Sequence, residues 1–179
     1  MPQHVTNRRN FIGTAAVAAV ATPALTTQAI ARRPADTTFN YEIQRTDAEW
    51  RAMLTEEEYY ILRQGATEER FISDLVTEER PGTYYCKGSD LAIYESDQKV
   101  VLPIGWVFFK HSIENSVLMG IDTLPAQYDD AGMVQGEQKQ MVEVHCRASG
   151  NHLGHIVSIK GEVLHCINGT ALNFVPAEA

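Results

Sequence analysis

The sequence predicts a mainly β (α+β) fold: an antiparallel β-sheet domain preceded by short N-terminal helices. Three observations carry the prediction. From Gly82 onward the chain is a series of strand-length runs rich in Val, Ile, Tyr and Phe, separated by glycine-bearing turns. Upstream, between Thr46 and Gly65, two helix-start signatures follow one another. The length of 179 residues, with 44% hydrophobic and 21% charged, suits one globular domain large enough to bury its own core.

The N-terminal stretch "TNRRNFIGTAAVAAVATPALTTQAIA" opens on Arg8 and Arg9, passes through Phe11, Ile12 and an Ala/Val/Thr run, and closes on Ala29-Ile30-Ala31. Its apolar run of about fifteen residues is too short and too rich in alanine to span a bilayer, which takes ~20 strongly apolar residues. Small residues at this spacing are what a signal peptidase reads, and the paired arginines give the segment a basic start. The pattern resembles a twin-arginine export signal over residues 1–31 and implies a bacterial periplasmic protein. Its removal takes away two arginines and no acids, moving the formal charge from −8 to −10. So acidic a chain lacks the basic face that phosphate binding requires. This argues against a nucleic-acid partner and against an anionic membrane surface after signal cleavage.

Residues 32–46 are polar, carry Pro34, and read as a linker; the folded domain is expected over residues 47–177. Thr46 caps a first helix with Glu49 three residues on, and Thr55 caps a second with Glu58 three residues on. Gly65 ends the second. Trp50, Met53 and Leu54 form the apolar stripe of the first helix, and Tyr59, Ile61 and Leu62 that of the second. The strands follow as "TYYC", "LAIYE", "KVVLPIGWVFF", "SVLMGID", "MVEVHC", "HIVSI", "EVLHCI" and "ALNFV".

The segment "HLGHIVSIKGEVLHCIN", residues 152–168, concentrates histidines, a cysteine and an asparagine. In "EVLHCIN" a strand period of two puts Leu164, Cys166 and Asn168 on one face and Val163, His165 and Ile167 on the other. His165 therefore does not face Cys166. A base or acid for that thiol must come from elsewhere, and His152 and His155 lie one hairpin away across the turn that Gly161 supplies. A thiolate is a nucleophile when a neighbouring donor or cation lowers its pKa. A buried, inert cysteine beside hydrogen-bonded histidines fits the same spacing, so local physics leaves both readings open.

The stretch "HCRASGNHLGHIVSIKGEVLHCINGTALNFVP" resembles the C-terminal signature of the methionine-R-sulfoxide reductase B (MsrB) family. That signature runs Cys-x-x-Cys, His-Leu-Gly-His, Cys-Ile-Asn, then Leu-x-Phe. Upstream, "EWRAMLTEEEYYILRQGATEERF" is similar to the family's opening, "GTYYC" to its first cysteine region, and "SDQKVVLPIGWVFF" to its Gly-Trp-x-x-Phe segment. The resemblance covers roughly residues 47–176, in the family's order. It implies reduction of methionine-R-sulfoxide, free or in proteins, through a cysteine sulfenic acid. In that scheme Cys166 is the nucleophile and Trp106 the wall against the substrate methyl. His152, His155 and Asn168 orient and polarise the sulfoxide oxygen, a histidine giving the proton. Phe109 and Phe174 read as packing residues.

The chain departs from the family in four places. Leu164 stands where the family has an arginine two residues before the nucleophile, and the acidic turn after the HLGH motif is shortened to "SIKG", with Lys160 the candidate replacement for the lost charge. The residues before Gly105-Trp106 hold no resolving cysteine. Recycling of Cys166 therefore falls to Cys86, Cys146 or an external, thioredoxin-like thiol reductant. Each Cys-x-x-Cys pair keeps its first cysteine and has serine for the second: Cys86 with Ser89, and Cys146 with Ser149. Serine hydroxyls are poor zinc ligands, so no structural zinc and no other cofactor is expected. The ligands of one zinc must converge, which places Cys86 and Cys146 side by side, able to form a disulfide in an oxidising compartment. These departures sustain an alternative: a catalytically degenerate member of the fold that binds oxidised peptides or plays a structural role. A related enzyme acting on glutathione adducts is disfavoured by the missing cysteine pairs.

Overall fold

The computed structural model describes residues 39–124 and 139–178; the expected signal segment and residues 32–38 of the linker lie outside the described residues. Two short helices open the domain, α1 (Asp47–Met53) and α2 (Glu56–Gln64). Both start as their capping pairs dictate. The Thr46 and Thr55 hydroxyls accept the backbone N–H of Glu49 and Glu58, and those glutamates accept the N–H of Thr46 (2.7 Å) and Thr55 (2.9 Å) in return. Each cap satisfies donors that a helix start leaves orphaned and stabilises it by ~1 kcal/mol. Gly65 ends α2 in the left-handed region at φ 68°, where a side chain would be strained. Trp50, Leu54, Tyr59, Ile61 and Leu62 turn inward as expected, whereas Met53 is exposed. It is the last residue of α1, where the chain turns extended at Leu54 and leaves the helical face.

Among the described residues nine strands follow: β1 (Gly82–Cys86), β2 (Ala92–Glu95), β3 (Lys99–Val100), β4 (Val107–Phe109), β5 (Val117–Leu124), β6 (Lys139–Cys146), β7 (His152–Ile159), β8 (Glu162–Ile167) and β9 (Leu172–Pro176). They form two antiparallel sheets, one ordered β2-β1-β9 and one ordered β3-β4-β8-β7-β6-β5. The mainly β (α+β) expectation holds. The run "KVVLPIGWVFF", read as one strand, is split into β3 and β4. Pro103 has no N–H to give a ladder, and Gly105 adopts φ +97°. The second difference is at β7, which begins at His152 rather than His155, so the HLGH motif is strand and not loop.

The core lies on one face of the larger sheet and takes residues from both sheets and both helices, among them Tyr84, Ile93, Tyr94, Val107, Phe109, Val144, Leu153 and Ile167. Tyr94 stacks on Phe109 with ring centroids 4.1 Å apart, and Tyr84 meets Phe109 edge-on at 5.0 Å. His165 belongs to this core: it is buried, and its Nδ1 is 3.0 Å from the Tyr94 hydroxyl. The alternation read from "EVLHCIN" thus puts His165 where it was expected, on the face away from Cys166.

Candidate active site

Register across the larger sheet assembles the site. Cys166 of β8 pairs with Phe108 of β4 on one side and His155 of β7 on the other, and His155 pairs with Glu143 of β6. These four side chains share the face opposite the core. Directly paired residues in antiparallel strands hold their Cβ atoms about 5 Å apart, so thiol and imidazole are immediate neighbours. The hairpin that joins β7 to β8 turns on Lys160 and Gly161, both at positive φ (52° and 87°), as a two-residue turn of this hand requires.

His152 reaches the same face by a device that period-two reading does not anticipate. Between Val144 and His145 the β6–β7 register slips: Val144 pairs with Gly154, but His145 pairs with His152. Leu153 is the extra residue of this bulge and drops into the core, and the parity change brings His152 round beside His155, their ring centroids 5.1 Å apart. Gly154 is fixed by a different demand. A Cβ there would stand 2.0 Å from the Cys166 carbonyl oxygen, so only glycine lets β8 approach β7 at this rung. The HLGH motif is therefore two histidines, a bulge and a close approach in four residues.

Each histidine is held by a buried or half-buried carboxylate: His152 Nδ1 is 2.6 Å from Glu143 Oε1, and His155 Nε2 is 2.7 Å from Asp122 Oδ2. His145 joins the cluster, its Nδ1 4.0 Å from Glu143 Oε2. Sequence reasoning missed Asp122 and Glu143. The signal was present: each is a lone acid in an otherwise apolar strand, "SVLMGID" and "MVEVHC". Glu143 lies one strand from the histidines and Asp122 two strands away on the same face, and a carboxylate so placed fixes which ring nitrogen carries the proton.

Glu68 is the second residue that sequence reasoning passed over. It is buried at 4% exposure, and its carboxylate accepts the N–H groups of Gly169 and Thr170, both at 2.7 Å. Its carbonyl accepts the Trp106 indole N–H at 3.2 Å, and its own N–H donates to Asn168 Oδ1 at 3.0 Å. Trp106 precedes β4 at the parity of Phe108, half-buried, with the Arg70 guanidinium 4.8 Å from its ring centroid. Asn168 was expected to polarise a substrate oxygen. The structure gives its amide other work: Nδ2 donates to the carbonyls of Leu153 at 3.1 Å and Ala66 at 3.5 Å. It ties the β7 bulge to the loop carrying Glu68.

Burial, and secondarily the charge of Glu68, push the Cys166 thiol up to about 12. Lys160 does not offset this. It sits exposed at the hairpin tip, six residues along β8, which at ~3.3 Å per residue is roughly 20 Å away. At rest the thiol is protonated.

Cys86 and Cys146 lie on the other side of the sheet. Counting along β6 from Glu143, Cys146 falls on the core face with Val144, and both cysteines are buried, free thiols. Each cysteine meets the serine of the other segment, Cys86 Sγ 4.0 Å from Ser149 Oγ and Cys146 Sγ 3.2 Å from Ser89 Oγ, which brings the two thiols close enough to influence each other's ionisation. The four positions of the two Cys-x-x-Ser segments converge as expected. Two thiols and two neutral hydroxyls do not fit a zinc ion, whose structural sites use four thiolate or imidazole ligands. Among the described residues no group of three or more His, Cys, Asp or Glu side chains is arranged to hold a metal. The sheet also separates this pair from Cys166, so neither thiol is placed to resolve a sulfenic acid there.

Comparison with known proteins agrees with this geometry. The SelR domain matches residues 54–176. The chain is similar to a peptide methionine sulfoxide reductase MsrB of Pseudomonas putida (strain W619), 34% identical over 140 residues that cover 76% of this chain and 97% of that one. A peptide methionine sulfoxide reductase MsrB of Leptospira interrogans is 30% identical over 138 residues, covering 75% and 97%. Peptide methionine sulfoxide reductase B3 of Arabidopsis thaliana is 30% identical over 140 residues, covering 75% and 72%.

Proposed function

This chain belongs to the SelR-domain (MsrB) family, and from that premise we propose that it is a peptide-methionine (R)-S-oxide reductase with Cys166 as nucleophile. The observation that carries the reading is the pairing of Cys166 with His155 across β7 and β8, on the face that Trp106 and Phe108 share.

The protonated thiol shapes the chemistry. The sulfur of Cys166 attacks the sulfoxide sulfur as the thiol proton passes to His155. Because His155 donates through Nε2–H to Asp122, Nδ1 is the basic nitrogen. The imidazolium then gives that proton to the sulfoxide oxygen as the oxygen moves to Cys166. The balance closes without an outside proton: thiol and sulfoxide become sulfenic acid and thioether. The His152–Glu143 pair packs beside His155 and adds a second donor for the departing oxygen. The Trp106 indole face walls the substrate methyl from water, its tilt set by the bond to Glu68. Asn168 and Glu68 act as positioning residues.

Recycling takes an external dithiol of the thioredoxin type. Sulfenic acid and dithiol give back the Cys166 thiol, a disulfide on the reductant, and water. Cys86 and Cys146, on the other side of the sheet, have no part in this step. Cys166→Ser abolishes turnover with dithiothreitol. In the wild type, methionine sulfoxide makes Cys166 reactive toward a sulfenic-acid trap such as dimedone. Turnover retained by the serine variant, or trapping at another cysteine, rejects the assignment.

The site of action is inferred to be the periplasm, reached by twin-arginine export of residues 1–31 and supported by Arg8-Arg9 and Ala29-Ile30-Ala31. Replacing both arginines by lysine should leave the chain in the cytoplasmic fraction with its signal uncleaved; undiminished export counts against the pathway.

A further inference from the structure

The converged Cys-x-x-Ser segments repeat one geometry twice. In the first, the Cys86 N–H donates to the Leu91 carbonyl and the Asp90 N–H to the Cys86 carbonyl, both at 2.8 Å. In the second, the Cys146 N–H donates to the Asn151 carbonyl and the Gly150 N–H to the Cys146 carbonyl, again both at 2.8 Å. The residue four after each cysteine is left-handed, Asp90 at φ 56° and Gly150 at φ 66°. Two matched turns thus present one cysteine each to a common point.

The surroundings hold that point closed. Asn151 donates from Nδ2 to Cys86 Sγ at 3.8 Å and accepts at Oδ1 from Arg63 of α2 at 2.8 Å. A Cβ on Gly88 would stand 2.0 Å from the Asn151 amide nitrogen, so the first turn is packed against the second without spare room. Both sulfurs have no solvent exposure. A dithiol buried in a preset geometry, with ligands unfit for zinc, is suited to one covalent fate.

We propose that Cys86 and Cys146 form a structural disulfide that ties the two turns together where four thiolates would otherwise hold a metal. The bond closes the 60-residue stretch between β1 and the end of β6. It forms as the chain folds, before burial is complete, by exchange with a disulfide oxidant, either a small molecule or a protein. One cysteine displaces a thiol from the oxidant to give a mixed disulfide. The other attacks the protein sulfur of that bond and releases the second thiol. Two protein thiols and one disulfide become one protein disulfide and two thiols, with electrons and protons in balance. The bond sits away from Cys166 and leaves it the one free thiol of the chain.

The test uses the full chain refolded in oxidised and reduced glutathione, then denatured and titrated with a thiol reagent. One free thiol is expected, with the peptides of Cys86 and Cys146 linked in a non-reduced digest. Dithiothreitol should lower Tm by on the order of 10 °C, since a loop of this size gains several kcal/mol from closure. The Cys86→Ser/Cys146→Ser variant should melt with the reduced wild type and keep its sulfoxide turnover. Three titratable thiols after oxidation overturn the proposal, as does a stoichiometric metal ion blocking both cysteines. Neither readout depends on reductase activity, so the disulfide and the catalytic assignment fail separately.

Discussion

Cys166 and Cys146 stand two strands apart in one sheet, on opposite faces, and their surroundings push the two thiols in opposite directions. Cys146 is lowered to about 5, first by its neighbour Cys86 and further by Ser149 and Ser89. Cys166 is raised to about 12 by burial and by Glu68. The thiol with donors is sealed in the core, and the mostly buried one on the other face has an acid for company. A low pKa is therefore no guide to the nucleophile here. What distinguishes Cys166 is its neighbours on the polar face: His155 across the ladder, His152 brought round by the Leu153 bulge, and Trp106 one position before β4.

The largest expected effect sharpens that contrast. If proton relay through His155 replaces thiolate stabilisation, His155→Asn should lower kcat by 10²–10⁴-fold with KM little changed, the range for loss of a positioned acid–base group. Asp122→Asn, which keeps a hydrogen-bonding group but removes the charge, should lose less and move the pH profile. A KM effect alone in both variants would make the cluster structural.

The next effect is the pH dependence of the resting thiol. Alkylation follows the thiolate, so a thiol raised to about 12 gains tenfold in rate per pH unit from pH 7 to pH 10 without levelling. An unperturbed cysteine levels above ~8.5. Glu68→Gln removes the charge that helps hold Cys166 up, and should speed alkylation at any fixed pH in that range. It also gives up one acceptor for the Gly169 and Thr170 N–H groups, at a cost of ~1–3 kcal/mol in stability. A plateau near pH 8.5 in the wild type contradicts this account of Cys166.

Much of this was legible in the chain. The capping pairs at Thr46 and Thr55, the stop at Gly65, the β7–β8 turn at Gly161 and the parity of His165 against Cys166 all follow from local rules, and the structure has them in place. The unread parts are non-local. A bulge moves one residue of register, which leaves no trace in an apolar–polar pattern, so the route of His152 to the site was invisible. Asn168 meets Ala66 and Glu68 across about a hundred residues of chain, and only tertiary geometry shows that its amide is occupied. Lys160 is near Cys166 in sequence yet far along the strand. Asp122 and Glu143 carried a readable signal, acids in apolar strands, whose meaning depended on knowing which strands adjoin.

The central claim is that this face reduces one epimer of methionine sulfoxide. The direct measurement is turnover of residues 32–179 on separate R and S epimers of a methionine-sulfoxide peptide, with dithiothreitol supplying electrons so that the physiological reductant does not enter. The account predicts turnover of the R epimer, none of the S epimer, and loss of the R activity in Cys166→Ser. Reduction of both epimers alike, or of neither by a folded protein, contradicts it.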